Sequence, residues 1–259
     1  MEQKVFFESK DGLKLCGIWH IPDKKTVKAV VLAHGMTVDK DEEGIFVDLA
    51  ELLKENRYAV FRFDFRGHGE SERKSIDTTI TGEIADVEAA VKEVKLHKYK
   101  DIGLLGASLG GGIVALYAEK NQKELKCLCL WYPALNFDNT LLNPITPWLK
   151  DRRRGMVEDL KIKGWTEVGS SKKVYGKKLF EEMAKFYPYK VLQKISIPTV
   201  IIHGTNDKQV PYENAKNYAN NLKNGKLITL KDGEHGFQSR KEDRKRALQE
   251  TLKFFLKYL

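Results

Sequence analysis

Cysteine is scarce: three residues in a chain of 259, too few for a disulfide framework. Cys127 and Cys129 stand two apart in an apolar run, on one face of a strand, and read as buried, reduced thiols. Cysteine and histidine nowhere cluster with metal-ligand spacing, so no metal is expected. No apolar run reaches eighteen residues, which excludes a membrane-spanning helix. The first residues, MEQKVFFESKDG, lack the basic-then-apolar layout of a secretion signal, so a cytoplasmic location is expected. Only seven prolines occur; no proline-rich or Gly/Ser-rich linker and no internal repeat divides the chain. The length suits one α/β domain, and 42% hydrophobic residues supply a sizeable core.

Charge of one sign is not scarce. The net formal charge is +9, from 45 Lys and Arg against 36 Asp and Glu. The bases are spread along the chain among the acids, as on solvated faces. The densest run, Lys150–Gly155, accompanies no nucleic-acid motif, so no nucleic-acid partner is expected. Attraction of anionic substrates or lipid surfaces is a weaker second reading.

Strand-like runs alternate with helical ones. Residues 14–21, 28–35, 58–65, 101–108, 125–133, 197–204 and 225–232 read as strands, several with the continuous apolar character of strands buried on both faces. Residues 44–57, 82–97, 109–120 and 242–259 have helical spacing; Ile84, Val87, Val91 and Val94 form one stripe. This alternation predicts a mostly parallel sheet with helices on both faces. Residues from about 136 to 192 break the rhythm and read as an inserted cap within a single domain spanning 1–259.

One motif stands out. Gly106-Ala107-Ser108-Leu109-Gly110 fits G-x-S-x-G at a strand-to-helix turn, the layout of a nucleophile elbow. A Cβ at 106 or 110 is expected to collide with the opposite side of the turn. The turn lifts the serine hydroxyl out of the sheet, and the Leu109 N–H opens the following helix. A serine hydroxyl needs a base, and the base an orienting acid. Asp207 and His235 each follow a strand, as Ser108 does, and loops at the carboxyl ends of parallel strands converge on one crevice. Asp138, after residues 125–133, competes with Asp207 for the role of acid. Glu234 and Asp232 read as loop residues, and His203 as packed beneath the site. An oxyanion needs a second donor beside Leu109; the Met36 N–H, after His34-Gly35, is the candidate.

Taken together, residues 34–36 (HGM), 64–71 (DFRGHGES), 106–111 (GASLGG), 203–211 (HGTNDKQVP) and 233–237 (GEHGF) resemble the α/β-hydrolase family, most nearly its bacterial cinnamoyl/feruloyl esterases. Monoacylglycerol lipases look similar as well. Ala107 departs from the histidine that many members carry there. The resemblance implies Ser108 as nucleophile, Asp207 as acid, His235 as base and the Met36 and Leu109 amides as oxyanion hole. It implies a local ion pair and loop brace at Asp64, Arg66 and Gly67. A carboxylesterase without cofactor is expected, acting on a small-molecule ester, with monoacyl glycerol, peptide, thioester and carbon–carbon bond hydrolysis as alternatives. A homodimer is compatible with the sequence. Of the cap aromatics, Trp148, Trp165, Tyr175 and Phe180 are the candidates for lining the substrate pocket, the others forming the cap's own core.

Overall fold

The computed structural model describes residues 1–169, 171 and 173–259, the side chain of Trp148 excepted. Apolar runs and amphipathic stretches resolve into one eight-stranded sheet flanked by helices. Its strands are β1 (Glu2–Glu8), β2 (Lys14–His20), β3 (Lys28–Ala33), β4 (Ala59–Phe63), β5 (Asp101–Ala107), β6 (Cys127–Trp131), β9 (Thr199–Gly204) and β10 (Gly225–Leu230). They lie in the order β1-β2-β4-β3-β5-β6-β9-β10. The β1/β2 and β2/β4 pairings are antiparallel, and every other pairing is parallel.

Strand alternation divides the core between two faces. On one, Val30, Leu32, Leu105, Cys127 and Cys129 meet α1 (Ile45–Glu55) and α9 (Lys241–Tyr258). On the other, Ala29, Val31, Leu104 and Leu128 meet α2 (Ile80–Leu96) and α3 (Ser108–Asn121). All three cysteines are free and buried. On α2, Val87, Val91 and Val94 are buried and Ile84 is half-buried. The Thr79 hydroxyl accepts from Gly82 N and starts this helix two residues before the expected 82, as an N-cap does. Helix α3 has no polar face in its first turns. A Cβ on Gly111 would stand 2.7 Å from Pro133 and one on Gly112 2.7 Å from the Ala134 carbonyl, so small residues let the helix sink into the core.

Between β6 and β9 the chain makes a short π-type turn (Asp138–Leu142), α4 (Pro147–Lys150), α5 (Arg153–Ile162), a hairpin of β7 (Trp165–Val168) and β8 (Lys173–Gly176), then α6 (Lys177–Met183) and α7 (Pro188–Val191). Helix α8 (Tyr212–Tyr218) follows β9. The sequence reading placed no strand at β1, β7 or β8. Strand β1 is an exposed edge with only Phe7 buried, and β7 and β8 have four residues each, too short for a period to register.

The turn after β4 is braced otherwise than expected. Asp64 pairs with Lys40 at 2.8 Å, whereas Arg66 pairs with Asp86 at 2.8 Å and with Asp11 at 2.8 Å. The ion pairs therefore tie this turn to β3's loop and to α2 and do not join Asp64 to Arg66. A second acid on α2, Glu83, is 2% exposed, and its Oε2 has no hydrogen-bond partner. Burial, reinforced by the charge of Asp86 and eased by Arg66, pushes its carboxyl up to about 8. The unfolded chain loses this proton first, so the folded state is favoured at low pH and loses stability as pH climbs toward that value. Glu83→Gln is expected to gain thermal stability relative to the parent between pH 5 and 8.5, on the order of 4 kcal/mol. Thermal unfolding at both pH values checks this; a pH-independent difference would contradict it.

Candidate active site

Strand β5 ends at Ala107, and α3 begins at Ser108. Ser108 has φ 52°, a left-handed conformation that costs an ordinary side chain roughly 1–3 kcal/mol. Two glycines make room for it. A Cβ on Gly106 would stand 2.5 Å from the Gly110 carbonyl, across the turn as expected. A Cβ on Gly110 would stand 2.2 Å from the His34 carbonyl and 2.6 Å from that of Ala33. Gly110 thus serves the approach of α3 to the end of β3, not clearance within its own turn.

That approach sets Ser108 beside the turn at His34-Gly35-Met36, where a Cβ on Gly35 would lie 3.2 Å from the Ser108 Cβ. Side chains hold nearly every polar backbone group of this turn. Glu42 accepts from Gly35 N at 2.6 Å. The Nε2 of buried His34 accepts from Phe65 N at 3.0 Å, so its Nδ1 carries the proton and donates to the Gly35 carbonyl at 2.7 Å. Burial holds His34 well below the usual histidine range, which keeps this tautomer neutral. The Met36 carbonyl accepts from His68 Nε2 at 2.6 Å and from the Tyr175 hydroxyl. Among the described residues, the N–H groups of Met36 and Leu109 have no acceptor.

His235 stands on the loop after β10. Its Nδ1 donates to Asp207 Oδ2 at 2.7 Å. Asp207, on the loop after β9, is 7% exposed and takes three further bonds: from His203 Nε2 at 3.1 Å, Gln209 N at 2.8 Å and Val210 N at 2.9 Å. Burial opposes its ionisation. The His235 charge and the bonds from His203 and His235 outweigh that and hold the carboxyl well below the usual range. For His235, burial favours the neutral ring, but the charge and hydrogen bond of Asp207, with the charges of Glu42 and Glu43, raise its pKa above 6.5. The competing acid Asp138 is exposed and holds Asn143 at 2.6 Å; Glu234 is exposed and bonded to Ser239. Among the described residues, neither carboxyl is hydrogen-bonded to His235.

Ser108 and His235 line one cavity of about 130 Å³. Its walls include Gly35 and Met36 from the first turn, Leu109 and Ala134, then Thr140, Leu141, Leu149, Val168 and Gly169 from residues 136–192, and Val210. Among the described residues, no protein group is bonded to Ser108 Oγ or His235 Nε2, so both are free within it.

The predicted pocket aromatics lie elsewhere. Trp165 is half-buried beneath the Lys163 ammonium, 5.2 Å from its ring. Tyr175 is buried behind Met36, and Phe180 packs into the core on the α2 and α3 side. None of these three lines the cavity; Tyr175 and Phe180 belong to the core. Trp148 lies outside the described side chains. Aliphatic and small residues form the walls instead, together with the polar side chains of Glu42, Glu43, Thr140 and Gln209.

Residues 24–186 match the family described as serine aminopeptidase, S33, and residues 184–258 match one described as TAP-like protein. The chain belongs to the α/β-hydrolases, in the serine aminopeptidase S33 family. It is a hydrolase of that superfamily, and the eight-stranded arrangement is that fold. Human monoacylglycerol lipase ABHD6 is 23% identical over 239 residues, covering 80% of this chain and 69% of its own. The uncharacterised protein YfhR of Escherichia coli O157:H7 is 25% identical over 90% of this chain and 73% of its own. Among solved structures, the ferulic acid complex of Est1E from Butyrivibrio proteoclasticus superposes with a TM-score of 0.83 at 23% identity, covering 98% of both chains. The Pyrococcus furiosus esterase Pf2001 gives 0.76 at 22%, over 100% of this chain and 91% of that one.

Two residues at the site escaped the sequence reading, and a third stands in a different role from the one expected. Glu42 was one of four acids in Asp39–Glu43, with nothing to single it out. Its carboxyl, desolvated but bonded by Gly35 N, is pushed up to about 7. Tyr132 donates to Glu42 at 3.2 Å, and its ring lies 4.5 Å from that of His235. The third, Tyr175, was read as a pocket wall. Glu42 and His235 interact, so they titrate together. The acid limb of kcat/KM is expected above pH 6.5, and Glu42→Gln is expected to move it lower by withdrawing one of the three charges that favour the imidazolium. A pH–rate profile checks this; a limb below 6.5 that the substitution leaves in place would contradict it.

Proposed function

We propose that this hydrolase is a serine carboxylesterase, with Ser108 as nucleophile, His235 as base, Asp207 as its orienting acid and residues 136–192 as the cap over the site. The observation that carries the reading is a free serine hydroxyl and a free imidazole nitrogen in one cavity, with the imidazole anchored by a buried carboxylate and two amides unclaimed beside it. Ser108 Oγ attacks the ester carbonyl carbon while its proton passes to His235 Nε2. Asp207 stabilises the imidazolium that results and fixes its orientation. The carbonyl oxygen, now an oxyanion, takes hydrogen bonds from the Met36 and Leu109 amides. Collapse releases the alcohol with the proton from His235 and leaves an acyl-Ser108. Water, deprotonated by the same nitrogen, then releases the acid and restores the hydroxyl. No cofactor enters any step.

The cavity bears on the substrate. A cavity of about 150 Å³ is enough for a benzene ring, so a space of about 130 Å³ takes a short acyl chain or a single aryl group. Its mixed lining, with Leu141, Leu149, Val168 and Val210 beside Glu43 and Gln209, suits either, and the fold shared with Est1E, solved with ferulic acid, supports the aryl ester. A monoacylglycerol is the second reading, favoured by the match to the ABHD6 lipases. A panel of p-nitrophenyl esters, methyl cinnamates and monoacylglycerols separates them, with thioesters and aminoacyl anilides testing other carbonyl substrates. Acetyl to hexanoyl esters and cinnamates are expected to be turned over, with kcat/KM falling beyond about six carbons. Preference for long-chain monoacylglycerols would favour the lipase. Ser108→Ala is expected to abolish turnover, Asp207→Asn to cost about 10³–10⁴, and Asp138→Asn to cost little. Full activity in the serine variant would refute the assignment.

A further inference from the structure

The hairpin β7–β8 grips the turn after β3 from the far side of the cavity. Tyr175 and Lys173 are two apart on β8 and so share a face. The Tyr175 hydroxyl donates to the Met36 carbonyl, and Lys173 Nζ donates to the Val38 carbonyl at 3.0 Å. Between these anchors, a Cβ on Gly169 would lie 3.0 Å from Thr37 Cγ2, so Gly169, just past β7, rests against the intervening residue. From the body of the protein, His68 Nε2 reaches the same Met36 carbonyl at 2.6 Å and the Tyr175 oxygen at 3.0 Å. Burial holds His68 down to about 4, so the ring is neutral with a single proton; Nδ1 faces the Arg66 carbonyl at 3.0 Å and Nε2 the Met36 carbonyl at 2.6 Å, and the proton is assigned to the shorter contact.

From this geometry we infer that Tyr175 is a positioning residue for the reaction: acting through the Met36 carbonyl, it fixes the orientation of the Met36 N–H, so the cap hairpin forms part of the oxyanion hole's support. The inference rests on the esterase reading above. Two peptide planes meet at the Met36 α-carbon. The 35–36 plane, which carries the Met36 N–H, is held by His34 at its carbonyl. The 36–37 plane is held by Tyr175 and His68 at the other carbonyl. With both fixed, the dihedrals at Met36 have no freedom left, and the N–H keeps one direction. Tyr175 is wholly buried and absent from the cavity wall, so it acts without touching substrate. An oxyanion donor is effective only when preorganised, and a tilted amide weakens hydrogen bonding to the tetrahedral species more than to the ground-state ester.

Tyr175→Phe removes one oxygen and leaves the Met36 carbonyl bonded to His68, so the fold is expected to persist. With p-nitrophenyl butyrate, kcat is expected to fall about tenfold, less than the loss of a whole oxyanion donor, and KM to stay within twofold. A trifluoromethyl ketone, which forms a tetrahedral oxyanion on the serine, should bind about tenfold more weakly. The thermal midpoint should move by only a few degrees. A purely structural tyrosine would lower the midpoint and leave the ratio of ketone affinity to KM unchanged, and that result would overturn the inference. Should the variant accumulate unfolded, His68→Leu, which removes the other donor, carries the same expectation and the same contrary result. A parent protein with no ester turnover would overturn the esterase reading and the inference with it; an active parent with an unaffected Tyr175→Phe would overturn the inference alone.

Discussion

The site depends on how closely two turns approach. The chain leaving β3 and the chain leaving β5 pass so near each other that Gly110 has room for nothing beyond hydrogen: any Cβ there would overlap the His34 carbonyl. Parallel neighbours in a sheet diverge at their ends unless something draws the loops together. Here the absence of a side chain does so. Ser108 is thereby set beside Gly35, and two unclaimed amides, from Met36 and Leu109, come to line the same cavity as the serine. The left-handed backbone of Ser108 is a local cost, borne by the packing of the buried α3 around it.

Around that contact, charge is graded. Neutral imidazoles, His34 and His68, fix the backbone of the first turn without adding charge beside Ser108. The ionised carboxylate lies behind His235, held there by four donors. Glu42 lies between these zones, bonding Gly35 N on one side and Tyr132 on the other. It links the turn that presents an amide to the ring that packs on His235. The site is therefore one connected network of β3, β6, β9 and β10 loops, with Thr140, Leu141, Leu149, Val168 and Gly169 supplying further walls of the cavity.

Much of this was legible in the sequence. The buried strands announced themselves as continuous apolar runs, and α2 by a stripe at helical spacing. The serine was legible because a strand-to-helix turn this tight demands small residues at fixed offsets. Asp207 and His235 were legible because each follows a strand in chain order. What was hidden shares one cause: it depends on tertiary contact and leaves no local period. The edge strand β1 has a single buried side chain. The partners of Asp64 and Arg66 lie on other elements. The cap aromatics looked like pocket walls because large apolar residues in an insertion have two uses, and sequence alone does not say which faces inward.

The central claim is that Ser108, His235 and two backbone amides converge on one tetrahedral carbon. A crystal structure of the protein after reaction with an alkyl fluorophosphonate tests it most directly. The account predicts phosphorus bonded to Ser108 Oγ, with one phosphonyl oxygen within about 3 Å of both the Met36 and Leu109 nitrogens and His235 Nε2 beside the serine oxygen. Phosphorus on another residue, or a phosphonyl oxygen turned away from both amides, would contradict it.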